Sequence, residues 1–310
     1  IAGRKVAAEK IPSWWEIEKI WYPKHLSLEQ CSSEITARYK ARLLQGDSLT
    51  DLTGGFGIDC SFLATGFKSA TYVERQEELC EIAAHNFPVL NLNHINIKNE
   101  DGVTYLQVMS PVDCLFLDPA RRNEHGGKTV AISDCEPNVA ELEELLLQKA
   151  NRVMIKLSPM LDLSLALKEL KQTQEVHILS VNNECKELLI LLGQTSPAEI
   201  SIHCVNLFTK GTQKEQHFVF TREQEQCSEC TYTDSLETYL YEPNASLLKA
   251  GAFRSIAAAY PVRKLHPNSH LYTSDTFIEN FPGRIFRIVN QCSFNKKEVK
   301  ENLADLKKAN

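Results

Sequence analysis

One short stretch constrains the fold of this chain more than any other, the glycine-rich run from Asp51 to Asp59. The residues before it have the character of the end of a buried strand, and those after Gly57 open a helix. A strand that feeds a helix through glycines directs backbone N–H groups and the positive end of the helix at a ligand. Glycines let the backbone approach that ligand closely. The run therefore predicts an α/β fold with a nucleotide-type ligand at this turn.

The residues of the turn discriminate between two such ligands. Dinucleotide-binding folds use G-x-G-x-x-G, but Cys60 stands at the third glycine here. Asp51, four residues before Gly55, suits the ammonium of an amino acid moiety, which NAD lacks. The pattern resembles motif I of class I S-adenosylmethionine (AdoMet) methyltransferases, D-x-G-x-G-x-G, with Thr53 at its first glycine. The resemblance implies that AdoMet binds to Asp51, Thr53, Gly55 and Gly57.

Two further acids occupy positions where such enzymes contact the cofactor. Glu74 ends the predicted second strand, where a carboxylate can accept both hydroxyl groups of a ribose. Asp101 closes the predicted third strand, and the resemblance implies a role near the adenine amino group. A plain Asp-Gly turn is the alternative for Asp101.

A charged motif follows a continuous apolar run at residues 114–117, which predicts a strand buried on both faces. Asp118 ends that strand, so it should lie in the ligand crevice. Asp118-Pro-Ala-Arg121 resembles motif IV of nucleic-acid methyltransferases, Asp/Asn-Pro-Pro-x. Arg121 stands where amine-methylating enzymes carry an aromatic residue that stacks a flipped base, which argues against an amine acceptor. We expect Arg121 and Arg122 to hold phosphate, the alternative being pairing with neighbouring acids.

Strands and helices alternate over residues 48–192, which predicts a doubly wound parallel sheet. Two late strands, at 176–181 and 188–192, lack an intervening helix and resemble the antiparallel hairpin that ends the class I methyltransferase sheet. A further strand pair is predicted at 200–208 and 216–221. Before the first strand, one helix face is predicted at four-residue spacing: Cys31, Ile35, Tyr39 and Leu43.

The chain divides into four predicted segments. An N-terminal helical segment (1–46) precedes the AdoMet-binding domain (47–222), and a polar linker leads to a small α/β domain (236–281). The whole chain resembles an uncharacterised group of bacterial class I methyltransferases that carry a ferredoxin-like and a THUMP-like domain. The resemblance implies that 236–281 is ferredoxin-like and that 282–310 is the truncated start of the THUMP-like domain. The resemblance to this group of methyltransferases rests on residues 29–34, Thr36, 39–40, 51–57, 118–122, 156–160 and 241–245.

Composition narrows the class of protein. The 310 residues contain no apolar run of membrane-spanning length and no signal peptide, and ten scattered cysteines are typical of reduced thiols in the cytoplasm. Cys227 and Cys230 form a C-x-x-C pair, but a zinc site needs a second pair, so we expect no metal. The net charge is −6, yet residues 1–45 carry +3 and 281–310 carry +4. An RNA substrate would be held by these ends, unless they are simply solvated helices.

The chemistry of AdoMet requires mainly that a nucleophile be aligned with its activated methyl group. Three acceptors stay open. An amine would use Asp118, although the missing aromatic argues against it, and a pyrimidine carbon would need a cysteine such as Cys185, which is displaced from the usual position. A ribose hydroxyl would need a lysine of depressed pKa. Four residues resemble, in order, the set of ribose methyltransferases: Lys40, Asp118, Lys156 and Glu187.

We therefore predict an AdoMet-dependent methyltransferase that acts on RNA (tRNA or rRNA), with Asp118, Lys156 and Arg121 as catalytic residues. The RNA substrate is implied by the THUMP-like resemblance, because true THUMP domains bind tRNA. The alternatives are a catalytically silent AdoMet-fold RNA-binding protein, a methyltransferase of proteins or small molecules, and a nicotinamide-dependent oxidoreductase. The sequence indicates neither the oligomeric state nor the role of the small domain.

Overall fold

The computed structural model describes residues 2–23, 30–121, 131–195, 197–293 and 295–303. Its strands are β1 (Ser48–Asp51), β2 (Ser69–Glu74), β3 (Ile95–Asn99), β4 (Val112–Leu117), β5 (Ala120–Arg121), β6 (Cys135–Glu136), β7 (Ala150–Leu157), β8 (Thr173–Val181), β9 (Glu184–Gly193), β10 (Ser201–Leu207), β11 (Glu215–Phe220), β12 (Tyr239–Pro243), β13 (Arg263–Lys264), β14 (Tyr272–Ser274) and β15 (Gly283–Arg287).

The helices surround these strands in an alternating order over the first two thirds of the chain. They are α1 (Ala2–Lys10), α2 (Pro12–Trp15), α3 (Glu34–Ala41), α4 (Ile58–Ala64), α5 (Glu77–Val89), α6 (Gly102–Val108), α7 (Val139–Lys149), α8 (Leu163–Glu169), α9 (Arg222–Cys227), α10 (Ala245–Ala250), α11 (Arg254–Ala259) and α12 (Lys296–Leu303).

A nine-stranded sheet, in the order β11-β10-β8-β9-β7-β4-β1-β2-β3, forms the centre of the molecule. Strands β3, β2, β1, β4 and β7 run parallel, and β9 lies antiparallel between β7 and β8. This hairpin confirms the prediction from the late strands. The predicted extra pair is present as β10, parallel to β8, and β11, antiparallel to β10. The Rossmann-like doubly wound sheet is therefore confirmed.

Strand β4 shows why its apolar run places Asp118 at the ligand edge. Side chains alternate across the sheet, so Leu115 and Leu117 belong to one apolar cluster while Cys114 and Phe116 belong to the other. All four are buried. A strand covered on both faces has only its end free for polar chemistry, and Asp118 follows that end directly.

The N-terminal segment packs against the glycine turn. Trp14 and Ile11 share a small apolar cluster with Phe56 of the turn, and the Trp14 and Phe56 rings meet edge to face at 5.2 Å. Helix α3 begins at Glu34 with Ser33 as its N-cap residue. Cys31, predicted on the face of this helix, therefore lies before it and lines the cleft described below.

The C-terminal unit is a small antiparallel sheet in the order β13-β14-β12-β15. Strand β15 pairs with the whole of β12, from Tyr239 opposite Arg287 to Pro243 opposite Gly283. Gly283–Arg287, which lies in the segment expected from the resemblance to begin a THUMP-like domain, is thus a strand of the small sheet.

The small unit shares its apolar core with the large sheet. Tyr241 and Leu247 belong to the same buried cluster as Val176 and Ile190 of the large sheet. At the contact, the backbone N–H of Ala245 donates a hydrogen bond to the Asn183 side chain at 2.8 Å, and Lys249 donates to the carbonyl of Leu161 at 2.7 Å. The two sheets are thus joined by apolar packing and by specific polar contacts.

The helices and the cysteines agree with what the composition predicts. Among the described helices, none is long and apolar enough to cross a membrane. All ten cysteines are free thiols.

Candidate functional site

A cleft of about 470 Å³ lies at the carboxyl ends of the central parallel strands. That size is within the usual range of small-molecule and cofactor sites. The cleft brings together every predicted cofactor residue and two of the three predicted catalytic residues: Asp51, Thr53, Gly55, Gly57, Glu74, Asp101, Asp118 and Lys156. The side chain of Arg121 and all of Arg122 lie outside the described part of the chain, so both stay predictions.

The glycine turn takes a shape that only glycine adopts easily. Gly55 and Gly57 have φ of 53° and 85°, in the left-handed region. A Cβ on Gly54 would lie 2.2 Å from the buried ring of Tyr72. The Tyr72 hydroxyl in turn donates a hydrogen bond to the carbonyl of Gly55. The turn is therefore held from behind by an aromatic side chain while its front faces the cleft.

Asp51 is buried at the floor of the cleft, only 1% exposed. One carboxyl oxygen accepts the Thr53 backbone N–H at 2.9 Å, and the other has no hydrogen-bond partner in the residues that the structure describes. Burial raises the pKa of Asp51 to about 8, and the carboxylates of Asp59, Asp118 and Glu74 act in the same direction. A buried carboxyl group with an unpartnered oxygen is suited to a cation.

Glu74 is fixed across the glycine turn. Its carboxylate accepts the backbone N–H of Gly55 and that of Gln76, each at 2.8 Å. A carboxylate has about four lone-pair sites, so two remain for hydroxyl donors in the cleft. Asp101 is the N-cap of α6 and accepts the N–H groups of Val103 and Thr104. The predicted Asp-Gly turn is therefore a capped helix start that also lines the cleft.

Five charged side chains form a connected group, here called the ion network: Lys40, Asp59, Asp118, Lys156 and Glu187. Lys156 Nζ lies 2.6 Å from Asp118 and 3.2 Å from Asp59. Lys40 Nζ lies 2.9 Å from Asp59 and 2.6 Å from Glu187. Asp59 therefore bridges the two lysines, and the four residues noted for their resemblance to ribose methyltransferases meet in space.

Ser32 closes the ion network. Its hydroxyl accepts from the ammonium groups of Lys40, at 2.9 Å, and Lys156, at 3.0 Å, and donates to Asp59 at 2.6 Å. The Lys40 side chain is fully buried, whereas the side chain of Asp118 is 39% exposed. The ion network therefore opens to the cleft at Asp118.

The charges of the network set its protonation. Burial alone would lower the pKa of Lys156, but the carboxylates of Asp118, Asp59 and Glu187 outweigh it and raise that pKa well above its usual value. Burial raises the pKa of Asp118, against the influence of Lys156. The two lysines hold the pKa of Asp59 well below its usual range despite burial. The lysine of depressed pKa expected for a ribose acceptor is therefore absent at Lys156, because carboxylates surround it.

Sequence reasoning missed Ser32 and Asp59 as members of the site. A carboxylate in the first turn of a helix usually caps the helix or faces solvent, so Asp59 gave no separate signal. The candidate nucleophile Cys185 is partly buried, and burial raises the pKa of its thiol to about 11. A thiol in that state does not supply the thiolate that carbon methylation requires.

Several known proteins are similar to this chain in sequence or in structure. A protein from Porphyromonas gingivalis W83, assigned as a methyltransferase, has a crystal structure that matches 97% of this chain and 75% of its own at a TM-score of 0.88. The two sequences are 37% identical. The chain belongs to the class I AdoMet-dependent methyltransferases.

Two further similarities refine this membership. Residues 239–282 match the family of ferredoxin-like domains, which confirms the ferredoxin-like nature of the small unit. The chain is also 20% identical, over 92% of its length, to an uncharacterised S-adenosylmethionine-dependent methyltransferase of Mycobacterium tuberculosis, 74% of which is covered. Within the family, this chain is therefore a methyltransferase with an appended ferredoxin-like domain.

Proposed function

We propose that this methyltransferase transfers the methyl group of AdoMet to a ribose hydroxyl of RNA, either tRNA or rRNA. The observation that carries the proposal is the ion network, which links Lys40, Asp118, Lys156 and Glu187 through Asp59 and reaches the cleft at Asp118 and Lys156. These residues resemble, in the same order, the Lys-Asp-Lys-Glu set of ribose methyltransferases. RNA as the carrier of the hydroxyl is supported by the motif IV resemblance and the basic chain ends.

The residues at the cleft fit AdoMet. Asp51 offers the ammonium group a buried oxygen that has no hydrogen-bond partner in the described part of the chain, and Gly55 and Gly57 add no Cβ to the turn. Glu74 retains lone pairs for the ribose hydroxyls, and the position of Asp101 in the cleft lining supports its proposed role at the adenine amino group. AdoMet, when bound, supplies a methyl group on a positively charged sulfur. Asp51, Thr53, Gly55, Gly57, Glu74 and Asp101 are the proposed binding residues.

The ion network supplies the acid–base chemistry. Methylation of a hydroxyl group requires that its proton be accepted as the new C–O bond forms. Because carboxylates keep Lys156 protonated, the lysine base expected from the sequence is replaced here by Asp118, the most exposed carboxylate of the ion network, as the proposed proton acceptor. Lys156 stays an ammonium that orients Asp118 at 2.6 Å and stabilises negative charge on the attacking oxygen. Arg121 is proposed to hold a phosphate of the substrate.

The test combines a transfer assay with a chemical readout of the acceptor. AdoMet with a labelled methyl group is incubated with the enzyme and either tRNA and rRNA transcribed in vitro or a cell extract, and the recovered RNA is hydrolysed in alkali. A methylated 2′-hydroxyl cannot attack the neighbouring phosphate, so ribose methylation leaves the label in alkali-resistant dinucleotides. Label in single nucleotides would show base methylation instead, and label only in protein or small molecules would contradict the RNA proposal.

Matched lysine variants separate chemistry from charge. Lys156→Met should reduce transfer at least a hundredfold, as expected when a positioned acid–base unit is broken. Lys68→Met is the control, because Lys68 pairs with Asp47 at 2.9 Å on an exposed surface. Transfer that survives Lys156→Met and Asp118→Asn unchanged would contradict the proposed roles. AdoMet binding without transfer to any acceptor would favour the silent RNA-binding protein.

A further inference from the structure

A second polar cluster lies on strands that take no part in the cleft. Glu175 and His177 on β8 and His203 on β10 each present one possible ligand atom, and all three atoms lie within 4.8 Å of one another. Strand pairing sets His177 directly opposite His203, and their rings stack at 4.3 Å. None of the three lines the AdoMet cleft. The arrangement therefore needs an explanation of its own.

Neighbouring side chains hold both imidazoles from behind. The Tyr39 hydroxyl is 2.8 Å from Nδ1 of His177, which leaves Nε2 of that ring 3.2 Å from the Glu175 carboxylate. Nδ1 of His203 lies 3.1 Å from Nε2 of His217. Ligands about 2.0–2.2 Å from a tetrahedral zinc ion stand about 3.4 Å from one another, so the spacing of His177 and Glu175 is close to one such edge.

The Glu175 carboxylate lies between a guanidinium group and an imidazole ring. Arg152 occupies only one carboxylate oxygen, at 2.8 Å, and His177 faces the other.

We propose that Glu175, His177 and His203 bind one divalent transition metal ion, with zinc the best fit. Two imidazoles and a carboxylate are a usual ligand set for zinc, with water as the fourth ligand. Tyr39 and His217 orient the two rings, as outer partners of metal-bound histidines do. The site is separate from the Cys227 and Cys230 pair.

The ion would act on helix α3. Tyr39, which holds His177, is followed in that helix by Lys40 of the ion network. Metal binding would hold His177 in place and, through it, Tyr39 of α3. Lys40, the next residue of α3, would then be held in its position in the ion network. We expect bound metal to raise the melting temperature of the protein.

The 310-residue chain is treated with a chelator and then titrated with Zn²⁺ by calorimetry and with Co²⁺ by visible absorption. The expected result is one ion per chain, with a Co²⁺ spectrum of a four-coordinate site. Tyr39→Phe should weaken binding about 10–100-fold, the usual effect of losing an outer partner. His203→Gln, which removes a ligand, should weaken it further. Melting curves of the metal-free variants check that each is folded.

Two controls make the assignment specific. His85→Gln removes a half-buried histidine that stacks on Trp21, and it should leave the affinity unchanged. The double variant Cys227→Ser, Cys230→Ser should also bind normally. The proposal is overturned if folded wild-type chain binds no stoichiometric ion. It is equally overturned if His203→Gln binds as wild type does, or if the cysteine variant is the one that loses the ion.

Discussion

At the scale of single residues, Asp51 shows a conflict between stability and ligand binding. Its carboxyl group is buried, and within the described residues one of its oxygens has no hydrogen-bond partner, an arrangement that costs free energy in the ligand-free protein. A bound ammonium group would convert that cost into affinity. Residues selected for binding often destabilise the free protein in this way.

Replacing Asp51 should therefore change the dependence of stability on pH. The pKa of this carboxyl is about 8 in the folded protein, against an ordinary value of 3.8 in the unfolded chain. Between these values the folded state holds a proton that the unfolded state lacks, so the free energy of unfolding falls as the pH rises. Asp51→Asn removes this fall. At pH 8 we expect the variant to be more stable by about 1–3 kcal/mol, measured by denaturant unfolding in the absence of ligand.

The same variant provides the internal control at pH 5. At pH 5 only the first part of the range between these two pKa values has been crossed, so the stability difference should be clearly smaller than at pH 8. A stability difference that is the same at pH 5 and pH 8 would rule out ionisation of Asp51 as the cause.

Binding of AdoMet should release a proton from the protein. At pH 6.5 Asp51 is mostly protonated when free, and pairing with the ammonium group favours its ionised form. Calorimetry in buffers of different ionisation enthalpy should show close to one proton released by the wild type. Asp51→Asn should bind more weakly and release almost none, and equal release from both proteins would contradict the pairing.

Sequence and structure agree best where a residue ends a strand. Asp51, Glu74 and Asp118 were located because polar residues after buried parallel strands meet at one edge. Asp59 and Ser32 were not located, since their role depends on how the N-terminal segment folds over the cleft. The raised pKa of Lys156 was also beyond reach, because it depends on carboxylates from three other elements.

At the scale of elements, the glycine turn between β1 and α4 was predicted with its neighbours, but its tolerance to substitution depends on Tyr72. That ring belongs to β2 and packs under Gly54. Periodicity likewise predicted α3 but not its start, because the chain before Glu34 turns into the cleft instead of continuing the helix.

Gly54→Ala should damage both stability and cofactor binding. The added Cβ would meet the Tyr72 ring at 2.2 Å, and that ring is fully buried and cannot move aside. Overpacking of this kind typically costs about 1–3 kcal/mol. Gly66→Ala is the matched control, because its nearest neighbour would be 3.7 Å away. Melting temperature and AdoMet affinity are measured for both, and equal effects would refute the steric explanation.

At the scale of the whole molecule, the two sheets depend on one continuous core. Leu247 and Tyr241 of the small unit bury apolar surface of the large sheet, and Asn183 anchors the backbone at Ala245. The polar linker suggested separable domains from sequence, and only the packing shows the dependence. A polar linker indicates that the linking segment is exposed to solvent. Whether the two units unfold together depends on the apolar area buried between them.

Truncation after residue 235 should therefore leave a poorly soluble protein. Removal of the small unit exposes apolar side chains of the large sheet, and exposed apolar patches promote aggregation. We expect the full chain to unfold in a single transition by both near-ultraviolet and far-ultraviolet circular dichroism. A soluble fragment of residues 1–235 with an unchanged melting temperature would contradict this.

The shared core also affects how the two domains can evolve. A domain that contributes side chains to another domain's interior cannot be gained or lost by simple recombination, because each half would be left with an open face. The ferredoxin-like unit and the large sheet should therefore be inherited together. In related proteins, a substitution at Leu247 or Asn183 should be accompanied by a substitution at the residue that it contacts in the other unit. Contacting residues within a single domain change together in the same way.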